Sequence, residues 1–312
     1  MLGFLLITLL TLNNIDYPAN IMQYNDESAM YLIDELSEQQ YDSIYSIYRP
    51  LPPIAKTPYT HPAKYISATS GIAIDGGTEH VLWERNTDAA LPIASLTKLM
   101  TAIVFLETNP DFDAEIEIEE SDHSDVIGSR LYVQPGEVMT VRDLFYSSLV
   151  GSANNATKAL ARSTGLSEET FIQRMNDKAR LLRLPNTQFY EVTGLDPDNH
   201  STVHEYARIA RMAFGNSAIK EALTMHEYTF ETINKKIQHR IKNTNQLLQD
   251  DEVTLIGAKT GYLHEARFTF VCQAEQDGHE IFVVLLGSHS SAARFTEAKE
   301  IIQWAYDNNT WI

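Results

Sequence analysis

Three short groups of residues have the types and spacing that chemistry requires. Ser95 and Lys98 stand three apart in Leu91-Pro92-Ile93-Ala94-Ser95-Leu96-Thr97-Lys98-Leu99-Met100-Thr101. On a helix they share one side. A hydroxyl at the positive end of a helix, beside an amine, is a candidate nucleophile with its base. Downstream come Ser152-Ala153-Asn154 and Lys259-Thr260-Gly261. None of these groups is specific alone. Ser-x-x-Lys arises by chance roughly once in a chain this long, and Ser217-Ala218-Ile219-Lys220 is a second copy. A capping serine with a solvated lysine is the ordinary explanation of either copy. Order separates them: only the Ser95 copy is followed by a Ser-x-Asn and then by Lys-Thr-Gly.

The elements that must hold these residues can be read from periodicity. Pro92 precedes a helix start, Ser95 is placed to cap its first turn, and Leu96, Leu99, Met100, Ile103 and Val104 mark its buried face. Ser67–Asp75 and His80–Glu84 read as strands around Gly76-Gly77. Thr140-Val141-Arg142-Asp143 resembles a capping box ahead of a helix, and helical patterns follow over 155–163, 167–183 and 203–214. Ser152 falls where one helix ends at Val150-Gly151 and another begins. Thr254–Tyr262 is a strand carrying Lys259, and Arg267–Ala274 with Glu280–Gly287 forms a hairpin around Gln276-Asp277-Gly278. A last helix spans about 291–306. Strands at both ends with a helical middle predict an α+β fold: one antiparallel sheet of five strands built from both ends of the domain, helices packed on it, and a mostly helical central insert.

Composition bounds the rest. The chain has 312 residues, enough for one large domain or two smaller ones, and 44% are apolar, enough for a sizeable core. A formal net charge of -18 argues against nucleic acid or an anionic membrane surface as main partner. Cys272 is the single cysteine, so no intrachain disulfide forms, and its apolar setting predicts a buried structural thiol.

Three divisions are expected. Residues 1–12 contain an uncharged apolar run too short to span a bilayer as it stands, with no Lys or Arg before Arg49. A leader, a signal anchor and a buried segment all fit it. Residues 13–64 are acidic and rich in tyrosine, ending in Pro50, Pro52, Pro53, Pro58 and Pro62, and read as a linker or stalk. Residues 65–312 read as the folded domain.

At this point the chain resembles a known family, the low-molecular-mass penicillin-binding proteins, which are D-alanyl-D-alanine carboxypeptidases of serine peptidase type. The resemblance runs over about residues 66–306. Beyond the three groups it includes Pro135-Gly136-Glu137, Thr140-Val141-Arg142-Asp143-Leu144, Asn154-Asn155-Ala156, Asn186-Thr187-Gln188-Phe189, Thr193-Gly194-Leu195, His200-Ser201-Thr202 and Asn243-Thr244-Asn245. It implies a β-lactamase/transpeptidase-like fold and an acyl-enzyme mechanism without metal or cofactor. The implied partners are peptidoglycan stem peptides ending in D-Ala-D-Ala and β-lactam antibiotics.

The implied roles agree with elementary chemistry. Ser95 attacks the carbonyl, and Lys98 takes its proton if burial or a nearby cation keeps the amine neutral. Ser152 relays the proton toward the leaving amine. Asn154 holds the substrate's peptide group and Lys98. Lys259 and Thr260 bind the terminal carboxylate, and Gly261 leaves the strand bare where substrate lies. The N–H groups of Ser95 and Tyr262 serve as the oxyanion hole. Two positions depart from the family: Asn155 where Asp is frequent, and Thr244 where some members carry an Arg that helps bind carboxylate. The chain beyond Trp304 is also too short for the small β domain and amphipathic helix of many members. Anchoring would then fall to residues 1–12 or to a longer start.

Competing chemistries fit less well. No Gly-x-Ser-x-Gly elbow is present, and no His-Glu pair is completed into a zinc motif. A β-lactamase would need a deacylating Glu after the second group, for which Glu168 and Glu169 are the candidates. An endopeptidase of the same family, or a sensor that is acylated without turnover, would use the same residues.

Overall fold

A computed structural model describes residues 51–56, 62 and 65–311. The expected leader and most of the expected linker lie outside the described residues. From Pro53 onward the chain forms one compact unit.

Its centre is an antiparallel sheet of β1 (Ser70–Asp75), β2 (Val81–Arg85), β3 (Leu255–Leu263), β4 (Arg267–Gln276) and β5 (His279–Ser288), in the order β3-β4-β5-β1-β2. The α+β class and the five-stranded sheet from both ends of the domain are as expected. Register aligns Lys259 with Val271, Val284 and Ile72 across four strands. Asp277 and Gly278 both have positive φ (53° and 81°), the geometry of a two-residue turn whose twist matches the strands it joins. Because side chains alternate along a strand, the sheet has two apolar faces. Ile72, Val271, Phe282 and Val284 face the helical insert. Ala73, Phe270, Cys272, Val283 and Leu285 face the C-terminal helix Ser291–Asn308, through Phe295, Ala298, Ile301 and Ile302. Cys272 is fully buried, which pushes its thiol pKa up and leaves it inert.

Helix α1 (Thr97–Leu106) is buried from Thr97 to Phe105 and runs through the middle of the insert. A helix apolar on nearly all sides belongs inside a domain. It is preceded by a tight 3-10 turn, Ala94–Leu96, entered at Ala94 with φ 50°. Ser95 therefore does not cap the helix: Leu96 occupies the cap position, with no side-chain cap bond. The turn points the Ser95 hydroxyl elsewhere. α2 (Val141–Val150) opens with the expected capping box, Thr140 and Asp143 each accepting from the other's backbone N–H. α3 (Asn154–Arg162), α4 (Glu168–Leu181) and α5 (Val203–Gly215) follow close to their expected bounds.

Several short elements went unmarked by periodicity. α6 (Ser217–Thr224) is capped by Asn216, and a hairpin pairs Glu227–Glu231 with Gln238–Lys242. Each is eight residues or fewer, and the hairpin strands are largely solvent-facing, so the apolar signal is weak. Near the start of the unit, Ile54–Ala55 pairs with Asn309–Thr310, tying this segment to the end of the last helix, α7 (Ser291–Asn308).

Candidate active site

The site lies where the Ser95 turn meets β3, one edge strand of the sheet, and the α2–α3 junction. The Lys98 amine is wholly buried and makes three bonds. It donates to Ser95 Oγ at 3.0 Å, to Asn154 Oδ1 at 2.6 Å and to the Thr193 carbonyl at 2.6 Å. Burial brings its pKa down from the ordinary lysine range to about 7, against an opposing pull from the Glu191 carboxylate. On the other side, Lys259 Nζ donates to Ser152 Oγ at 2.8 Å. Its pKa is also held well below the usual value, by burial first and then by repulsion from Lys98 and Arg294. The site thus contains two hydroxyls, each paired with a buried amine that readily gives up its charge.

Each hydroxyl is held by a strained backbone. Ala94 and Ser152 have φ of 50° and 56°, a left-handed conformation that costs a residue with a Cβ on the order of 1 kcal/mol or more. Tight packing maintains it. A Cβ on Gly194 would come within 1.9 Å of the Ala94 carbonyl oxygen. A Cβ on Gly261 would lie 2.3 Å from Thr269 Oγ1 and 3.0 Å from the Ser95 nitrogen. The bare edge at Gly261 is thus filled by the Ser95 turn and Thr269, and brings the β3 backbone against the Ser95 N–H. Tyr206, buried on α5, fixes the turn by donating to the Leu96 carbonyl at 2.6 Å.

The remaining expected residues gather around this centre. Asn154 Nδ2 donates to the Ile127 carbonyl at 2.7 Å while Oδ1 takes Lys98. Thr260 Oγ1 lies 2.6 Å from Thr244 Oγ1. Tyr262 is 55% exposed at the rim, its ring 4.5 Å from that of Phe268. All eight residues singled out from sequence fall on these adjoining elements. The second Ser-x-x-Lys is elsewhere: Ser217 is an exposed first residue of α6. Glu168 and Glu169 are exposed in the first turn of α4, beside its Ser167 cap.

Sequence reasoning missed Arg294 and Glu191. Arg294 is buried on α7, donates to the Gly261 carbonyl at 2.8 Å and lies over the Phe268 and Phe295 rings. Its spacing to Ala298, Ile301 and Ile302 puts an arginine on the apolar stripe of α7, a signal readable beforehand. Glu191 sits in an irregular segment where no periodicity marks it.

The profile of the D-alanyl-D-alanine carboxypeptidase family, peptidase family S11, matches residues 56–290. The chain belongs to this family. It is thereby a serine-type D-alanyl-D-alanine peptidase. A D-alanyl-D-alanine endopeptidase of Haemophilus influenzae is 33% identical over 236 residues, spanning 74% of this chain and 80% of that protein. The D-alanyl-D-alanine carboxypeptidase DacF of Bacillus subtilis is 30% identical over 244 residues, 77% of this chain and 62% of that relative's length. The crystal structure of the Streptomyces K15 DD-transpeptidase matches with a TM-score of 0.73 at 30% identity, covering 78% of this chain and 98% of that one. One scaffold therefore carries proteins named for three outcomes at D-alanyl peptides.

The two departures from the S11 pattern have distinct settings. Asn155 is fully buried and clamps Leu131, accepting from its N–H at 2.8 Å and donating to its carbonyl at 2.9 Å. An aspartate could make only the first bond, so Asn155 acts on the loop and not on substrate. Thr244 stands beside Thr260, in the site itself.

Proposed function

We propose that the chain hydrolyses the terminal D-Ala-D-Ala bond of peptidoglycan stem peptides through an acyl-enzyme on Ser95, and that β-lactams acylate the same hydroxyl. The observation that carries this is the Lys98 amine, 3.0 Å from Ser95 Oγ and fully buried. Near neutral pH a substantial fraction of it is neutral and can accept the Ser95 proton as Oγ attacks the carbonyl carbon. Negative charge then develops on the carbonyl oxygen, for which the N–H groups of Ser95 and Tyr262 are the donors, Ser95 being held against Gly261. Ser152, bonded to Lys259, delivers a proton to the leaving amine. Water attacking the acyl carbon completes hydrolysis.

Lys259 and Thr260 receive the terminal carboxylate. In the free site burial and the nearby Lys98 and Arg294 work against the ammonium of Lys259; an arriving carboxylate favours it, so a substrate with that group helps assemble its own subsite. As an edge strand, β3 has one row of backbone groups outside the sheet's ladder, suited to an extended peptide.

A second reading, cleavage within cross-linked stem peptides, is favoured by Thr244. Thr244 sets a second neutral hydroxyl beside Thr260 where an arginine would add a charge, so the subsite depends less on a free terminal carboxylate. Mass spectrometry of products from a D-Ala-D-Ala pentapeptide and from a cross-linked muropeptide dimer tests both. Release of D-Ala supports the carboxypeptidase, and conversion of dimer to monomers the endopeptidase. Stable acylation by penicillin with neither product would support a sensor and contradict both.

Such substrates lie outside the cytoplasm, which assigns residues 1–12 an export or anchoring role. Among the described residues no helix is long and apolar enough to cross a membrane.

A further inference from the structure

Glu191 has no role in the chemistry above, yet its half-buried carboxylate is saturated with donors. One oxygen accepts from the Thr193 N–H and the Thr193 hydroxyl, both at 2.6 Å. The other accepts from the Gly194 N–H and, at 2.9 Å, from Asn199 Nδ2. These donors are the residues that touch the reacting groups. The Thr193 carbonyl takes a proton of Lys98 Nζ at 2.6 Å. Gly194, at φ 88°, lies on the Ala94 carbonyl and the Ser95 nitrogen. Asn199 Nδ2 also donates to Thr97 Oγ1 at 3.1 Å, on the first residue of α1. A single carboxylate thus gathers the turn that supports both Ser95 and Lys98.

We propose that Glu191 is a positioning residue for acylation, fixing the 191–194 turn against α1 and placing a carboxylate charge behind the Thr193 carbonyl that holds Lys98. The groups facing the Lys98 amine are Ser95 on its own turn, Asn154 from α3, the Thr193 carbonyl and Glu191 from the turn, and Lys259 from β3. Glu191 is the one anion among them. It favours the ammonium, against burial, and so keeps Lys98 poised rather than permanently neutral. A neutral Lys98 takes the proton from Ser95; a charged one can hold it until the leaving group collects it. No co-reactant is needed, since the proton that Lys98 takes from Ser95 is balanced by the one that Ser152 passes to the leaving amine. The inference rests on Lys98 being the base.

The test is the pH dependence of acylation of the full chain by a fluorescent penicillin, for the wild type, Glu191→Gln and Glu191→Asp. Removing the charge lowers the Lys98 pKa. The acid limb of the Glu191→Gln profile should move to lower pH by about one unit, while its plateau falls about tenfold as the turn loosens. Glu191→Asp keeps the charge but shortens the reach, so its plateau should fall with the midpoint near that of the wild type. A merely structural role would lower the plateau in both variants and move neither midpoint, and that result overturns the proposal. Should Glu191→Gln not fold, Glu191→Asn carries the same expectation through a shorter neutral side chain. Lys98→Ala separates the two levels. If it acylates at the wild-type rate, the base assignment itself fails. If it is silent while Glu191→Gln keeps the wild-type midpoint, only the role of Glu191 fails.

Discussion

Asn154 Oδ1 lies 2.6 Å from Lys98 Nζ, so one amide on α3 holds the buried amine of α1. Its other end donates to the Ile127 carbonyl. The same side chain therefore fixes the base and the loop at the rim of the site. Asn154→Asp exchanges that amide for a carboxylate in contact with Lys98. An anion favours the ammonium, so the Lys98 pKa rises and acylation at pH 7 should fall more than tenfold. Raising the pH should recover part of the loss. Stopped-flow acylation between pH 6 and 10 checks this, and a loss independent of pH would show that Asn154 does not act through Lys98.

In the wild-type enzyme the acylation rate should itself rise with pH through a midpoint near 7. The sign follows from the direction of the shift: burial lowers the folded-state pKa of Lys98 to about 7, the amine is charged and unable to accept a proton below it, and it becomes competent above it. Lys98 and Lys259 interact, so the midpoint belongs to the pair. An acylation rate flat from pH 5 to 9 would exclude a lysine base of this kind.

Gly194→Ala tests the packing on which Ser95 depends. The added Cβ would meet the Ala94 carbonyl oxygen at 1.9 Å, on a residue at φ 88°. Backbone on both sides leaves nothing flexible to yield, so the Ser95 turn must shift. Acylation should drop by about a hundredfold, since small displacements of a reacting group carry costs of that order. Melting and acylation measured together distinguish this from a simple loss of fold.

Asn155→Asp should destabilise the domain without abolishing acylation. The aspartate loses the donor that Leu131 O receives and leaves two oxygens facing each other in a fully buried place. That costs about 2 kcal/mol, or roughly 4–8 °C in Tm for a domain of this size. An unchanged Tm would remove Asn155 from the structural role given to it.

The fold was legible because its signals are local and repeated. The apolar runs along β1, β4 and β5 with their turn residues, and the helical stripe of α1, marked the layers, and the order of Ser95, Ser152 and Lys259 marked the candidate site. What stayed hidden depends on contacts distant in sequence or on backbone conformation. Nothing about Ala94 announces a positive φ, so the expected cap at Ser95 became a 3-10 turn that turns its hydroxyl toward Lys98. Burial or a neighbouring cation was expected to keep Lys98 neutral. Burial is the larger cause, and the repulsion between the amines weighs on Lys259. Glu191 bonds to residues only two, three and eight positions away, yet its importance lies in what those residues touch: Thr193 bonds to Lys98, nearly a hundred positions upstream. No pattern within 189–200 shows that.

The most direct measurement is labelling by a fluorescent penicillin of the wild type, Ser95→Ala and Ser217→Ala. Ser95→Ala should abolish labelling, because among the described residues Ser95 carries the one hydroxyl bonded to the Lys98 amine. Ser217→Ala should label as the wild type does, its residue being an exposed first turn of α6. Labelling that survives in Ser95→Ala would contradict the assignment of the nucleophile and the mechanism built on it.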